Sequence, residues 1–139
     1  MNVKRWAASA AAAFAVLWVT SFLIHHVWLS GFYHAHAAWW RPEAEMRAKF
    51  PLMILAQALS AILLALVYAK GYEAGKGGLA QGARFGLLIG ELMVIPANLV
   101  TYVIYPYPWS IVISWMLGGL AELVLAGAAI GAVYREGTS

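Results

Sequence analysis

Residues 85–133 read FGLLIGELMVIPANLVTYVIYPYPWSIVISWMLGGLAELVLAGAAIGAV. Two apolar runs, 85–104 and 109–133, are each long enough to cross ~30 Å of hydrocarbon as a helix. Between them lies Tyr105-Pro106-Tyr107-Pro108, a short turn that forces the two runs into an antiparallel helical hairpin. Each run carries one glutamate near its middle, Glu91 and Glu122. A carboxylate at that depth is costly and marks a candidate functional site.

Two further apolar runs precede the hairpin, at 6–28 and 52–69. The whole chain of 139 residues is 63% hydrophobic and 11% charged, where soluble domains carry roughly 25% charged residues. A soluble fold of this size has too much surface for its volume to hide so much apolar area. Composition therefore implies an all-α integral membrane protein: a four-helix bundle forming a single transmembrane domain over residues 1–139, with helices near 5–31, 50–70, 82–104 and 109–134. The lipid bilayer is its first partner.

The connections follow from their residues. Residues 43–50 predict a short interfacial helix between the first and second spans, with Pro42 suited to its first turn and Glu43 and Arg47 four apart in the favourable order. Gly71, Gly75, Gly77 and Gly78 mark a loop before the third span. Arg135 and Glu136 end the fourth helix.

Charge gives the orientation. Lys4, Arg5, Lys70, Lys76, Arg84 and Arg135 fall on one side of a four-pass topology, and Arg41, Arg47 and Lys49 on the other. The excess of basic residues puts both termini in the cytoplasm. Orientation accounts for the basic residues, so nucleic-acid binding is not expected. There is no cysteine, which excludes disulfides and thiolate metal sites. The small residues of the first run (Ala7 to Ala13) precede its bulky part, the wrong order for signal cleavage, so the run is expected to be a retained helix.

Three constellations carry candidate chemistry. Glu91 and Glu122 are equidistant from the hairpin turn, so at ~1.5 Å per residue they share one depth. Facing each other, with Asn98 seven residues from Glu91 on the same helix face, they would form a proton or cation site. The competing readings are two interface glutamates that join helices by hydrogen bonds, and two that point to different partners in an oligomer. Pro96 frees the carbonyl of Leu92 and kinks the third helix.

His25, His26, His34 and His36 cluster at the outer end of the first helix, where they are candidate ligands for haem or a divalent metal. His26 and His34, eight apart, could share a helix face. No other helix offers a histidine, so no resident cofactor is predicted. Gly82, Gly86, Gly90, Gly127 and Gly131 are helix-packing positions, within the bundle or between subunits.

The glycine-led third helix with its central Pro96 and later Asn98 and Tyr102, the aromatic-proline turn, and the Gly127 and Gly131 pair resemble small four-helix bacterial membrane proteins of the DUF1761 type. That resemblance implies a fold and a location and brings no activity with it. The four histidines and the two buried glutamates depart from it.

The leading functional expectation is a non-enzymatic inner-membrane protein that forms a homo-oligomer or serves as an accessory subunit of a membrane complex. The first alternative is a proton-coupled transporter of a small molecule or ion that uses the paired carboxyls. The second is a haem- or metal-binding membrane protein.

Overall fold

A computed structural model describes residues 1–76 and 78–134. Gly77, and the expected helix end at Arg135 and Glu136, lie outside the described residues. Among the described residues six α-helices follow in chain order: α1 (Val3–Phe22), α2 (Ser30–Ala35), α3 (Glu43–Ala48), α4 (Phe50–Lys70), α5 (Leu79–Ile104) and α6 (Trp109–Val133). Four helical segments among the described residues are long and apolar enough to cross a membrane: Val3–Trp28, Phe50–Lys70, Leu79–Ile104 and Trp109–Val133. The described residues contain no strand.

Local chemistry explains the boundaries. Asn2 accepts a hydrogen bond from the Arg5 backbone N–H at 3.1 Å and caps α1, and the alanine run behind it has the highest helix propensity of any residue. At Leu23 the winding loosens into a π-helical turn that runs to Trp28 and breaks at Leu29. The first long helix thus ends before the expected residue 31, and α2 and a 3₁₀ turn (Ala37–Trp39) carry the chain over the end of the bundle. Pro42 precedes α3, and Pro51 lies in the first turn of α4, where a missing N–H costs nothing. The helix of α5 continues through Pro96.

The bundle has a three-helix heart. The long helix α1 packs against both α4 and α6, while α5 packs along α6. One core cluster lies toward the end that carries the N-terminus: Ala10, Ala13 and Leu17 of α1 meet Ala61, Ala65 and Tyr68 of α4 and Ala126 and Ile130 of α6. The spacings of three and four put these residues on one face of each helix. A second cluster at the opposite end is aromatic: Leu29, Ile111 and Val112 with Tyr33, Tyr107 and Trp115 packed around them.

The glycines set the α5–α6 contact. A Cβ on Gly82 would strike the backbone of Gly127 and Gly131, and one on Gly127 would strike Gly82 and Gly86. Such reciprocal small faces let two backbones touch, the usual route to close helix contact in lipid. Gly90 is looser, since its Cβ would meet Leu120 Cδ2 at 3.1 Å. The five packing glycines thus all lie on one seam within the chain.

Candidate functional site

Between the two core clusters lies a polar network that joins α1, α4 and α6. On α1, Thr20 and Ser21 fall between Leu17 of the first cluster and Ile24 beside the second; on α6, Glu122 falls between Met116 and Ala126. Glu122 Oε1 accepts from Ser21 Oγ at 2.6 Å and from Thr20 Oγ1 at 3.0 Å. Gln57 Nε2 of α4 donates to Ser21 Oγ at 2.9 Å. The chain of donors therefore has a direction. Gln57 occupies a lone pair of Ser21, and the one Ser21 proton goes on to Glu122.

Thr20 behaves differently. Its hydroxyl also stands 2.8 Å from the Val16 carbonyl, one turn back on α1. With the Leu17 carbonyl at 3.3 Å as well, one proton faces three acceptors, so Ser21 is the committed donor and Thr20 the divided one. Moving an ionised carboxylate from water to hydrocarbon is costly, and hydroxyl donors offset part of that cost. Oε1 can take the same two hydrogen bonds as a carboxylate oxygen or as the carbonyl of a carboxylic acid. The site can therefore hold Glu122 with or without its proton.

Glu91 has other surroundings. It lies mid-way along α5, exposed, with no hydrogen bond or ion pair among the described residues. Its neighbours Leu88 and Leu92 are also exposed, Leu92 at 70%. The structure does not bring the two glutamates together. The α5–α6 seam runs through Gly90 and Leu123, and Glu91 and Glu122 each stand one residue, about 100° of helix, away from it. The rotation takes Glu122 toward α1 and Glu91 outward. A shared depth does not make a shared face.

Asn98 is not part of either arrangement. Its Nδ2 donates to the Val94 carbonyl of its own helix at 2.9 Å, and Thr101 Oγ1 likewise turns back to Ala97 at 2.9 Å. Asn98, expected to join Glu91 in a proton or cation site, and Thr101 beyond it are both satisfied on the α5 backbone.

The four histidines diverge. His25 Nδ1 stands 2.7 Å from the Tyr33 hydroxyl, which also accepts from Trp115 Nε1 at 2.8 Å. Burial pushes the Tyr33 hydroxyl above its ordinary range, and the Trp115 hydrogen bond works against that shift. The phenol is thus protonated near neutrality. The spacing of eight brings His25 to Tyr33, not His26 to His34, because the chain changes winding at Leu23 and breaks at Leu29. His26 stacks on Phe22, with ring centroids 5.3 Å apart. His36 bonds to the Phe32 carbonyl at 2.9 Å and stacks on its ring, and His34 is exposed. Among the described residues no group of three His, Cys, Asp or Glu is placed to hold a metal ion.

Thr20, Ser21 and Gln57 are the partners that sequence reasoning missed as site residues. Gln57 had a signal, as the one carboxamide in an otherwise apolar span. Thr20 and Ser21 had none, because short hydroxyl residues in a membrane helix ordinarily bond to their own backbone. No protein-family model, curated protein or solved structure matches the chain.

Proposed function

We propose that this chain is a non-enzymatic, self-associating protein of a bacterial inner membrane, with both termini in the cytoplasm, and that the outward face of α5 is its assembly surface. One observation carries the reading: Glu91 is exposed half-way along a helix that packs against α6 and presents Leu88, Leu92 and Met93 outward. In a lone copy this carboxylate would meet acyl chains. Ionisable side chains within a membrane almost always face a bundle interior or a water-filled cavity. A second copy seated on α5 supplies such an interior. The glycine seam supports the same reading, because it spends the small face of α5 on α6 and leaves the bulky face outward. The same glycine pattern carries the resemblance to the DUF1761 type, which adds no activity to this reading.

The chain has no cysteine, so single introduced thiols report the assembly directly. Leu92→Cys should form a disulfide-linked dimer in native membranes, while Leu63→Cys, exposed on α4, should not. Glu91→Lys should weaken the dimer, because Lys carries no hydrogen-bond acceptor for donors of the second copy. A chain that stays single in mild detergent and never cross-links through residue 92 overturns the proposal.

A second reading, a proton-coupled carrier, is supported by the Glu122 network alone. Glu122→Gln keeps the acceptor oxygen and removes the titrating proton. Proton-driven uptake into liposomes that is unchanged by this substitution would sink that reading.

A further inference from the structure

A groove of about 600 Å³ opens at the end of the bundle where α4 leads through the glycine loop into α5. Its mouth is polar and its depth is not. Lys76 Nζ holds Glu73 at 2.9 Å, and that hydrogen bond, with the charges of Lys76 and Arg84, keeps the Glu73 carboxyl below the usual carboxylate range. Arg84 itself has no hydrogen bond or ion pair among the described residues, so the mouth carries two cations against one anion already engaged. The Gln81 oxygen accepts from the Tyr68 hydroxyl at 3.1 Å, which leaves the two Gln81 N–H donors without a partner among the described residues.

Beneath this mouth the walls are apolar. Leu88 and Ile89 follow Arg84 on α5, and Val67 faces them from α4. Leu88 lies one turn, ~6 Å, deeper than Arg84 along the helix. The two helices meet where the Tyr68 ring packs on Phe85, with centroids 5.4 Å apart, and share no extended packing. The groove is therefore continuous with the apolar space between two membrane helices. A cationic mouth directly above an apolar slot fits an amphiphile with an anionic head.

We propose that this groove is a binding site for an anionic phospholipid, with the phosphodiester on Arg84 and the Gln81 amide and the acyl chains along Val67, Leu88 and Ile89. Arg presents a planar fork of donors suited to phosphate oxygens. The single excess positive charge matches a head with one uncompensated phosphodiester. A zwitterionic head brings an ammonium group into a mouth whose one carboxylate is held by Lys76. The groove borders the assembly surface at Leu88, and Arg84→Gln, two turns of α5 from Glu91, tests the groove without altering the residues about Glu91.

The test is native mass spectrometry of the detergent-purified full chain with phosphatidylglycerol, phosphatidylethanolamine and phosphatidylcholine of matched acyl chains. Phosphatidylglycerol should be retained at one per chain and above the other two. Arg84→Gln should weaken its retention roughly fivefold, the worth of one basic residue at a membrane surface, and Arg84→Lys should weaken it less. Glycerol phosphate at millimolar concentration should not displace the lipid. Equal retention of the three lipids overturns the proposal, as does an Arg84→Gln chain that melts like the parent and holds phosphatidylglycerol equally well. Displacement by glycerol phosphate would assign the mouth to a soluble phosphate ligand instead, and would overturn the lipid assignment.

Discussion

Ser21 Oγ stands 2.6 Å from Glu122 Oε1, and the same hydroxyl receives the Gln57 amide at 2.9 Å. One small side chain thus joins three helices. It relays a hydrogen bond from α4 to α6 across α1, in the gap between an alanine-rich and an aromatic cluster.

Ser21→Ala should therefore cost more than one hydrogen bond. It leaves Gln57 without its acceptor and Glu122 with only the divided donor Thr20. Interhelical polar contacts in membranes average about 0.6 kcal/mol and reach about 1.7 kcal/mol, and the loss here belongs at the upper end. Gln57→Leu alone should cost less. Reversible unfolding in mixed micelles should show the two substitutions to be non-additive, because Gln57 reaches Glu122 through Ser21. Strict additivity would show that no relay exists.

Along the α5–α6 seam the effect of adding a methyl should be graded by what the Cβ meets. Gly86→Ala drives Cβ into the Leu123 carbonyl, which is backbone and cannot yield. Overpacking of this kind costs roughly 1–3 kcal/mol, and separation of the two helices is the expected relief. Gly90→Ala meets the flexible end of Leu120 at 3.1 Å and should cost under about 1 kcal/mol. Paired spin labels on α5 and α6 read the helix separation, and the reverse ranking would contradict the packing.

The Tyr33 hydroxyl serves Trp115 and His25 together. Tyr33→Phe should free the Trp115 indole N–H, lower stability by about 1 kcal/mol, and shift the Trp115 indole proton resonance upfield. A resonance that does not move would place the Trp115 N–H on some other acceptor.

Glu73 offers a pH readout. Its carboxyl is held low by the Lys76 hydrogen bond, then by the Lys76 and Arg84 charges. A group whose folded pKa is depressed adds stability above its unfolded pKa, and that stability is lost as pH falls through the folded value. The pair is fully exposed, so the contribution is small. The carbon resonance of the Glu73 carboxyl should titrate below that of a glutamate in a free peptide, and Lys76→Gln should move the midpoint upward. A midpoint indifferent to Lys76→Gln would mean that the ion pair does not persist in solution.

The four spans, the hairpin and the interfacial helix were legible because they rest on local properties. Apolar run length, proline, and the 105–108 turn act over a few residues and compete with little else. The glycine positions were legible as packing sites for the same reason, but whether their partner was α6 or another subunit was not. The break at Leu29 was missed, since nothing in 23–28 distinguishes a π-helical turn from an α-helical one by composition.

The candidate site was half legible. Glu122 and the level of both glutamates came from counting residues along a hairpin. The identity of the partners did not, because a partner depends on the rotation of each helix about its axis. That rotation is decided by contacts far apart in the chain: Gly82 and Gly86 against Gly127 and Gly131, and Ala10 and Ala13 against α4. Sequence alone determined the helices, their number and the common level of Glu91 and Glu122 along the hairpin, because in lipid the backbone must satisfy itself within each helix. Only the tertiary structure decided that Glu122 turns to Ser21 and Glu91 turns outward. A one-residue offset from a glycine seam swings a side chain by about 100°, and no local signal encodes which way.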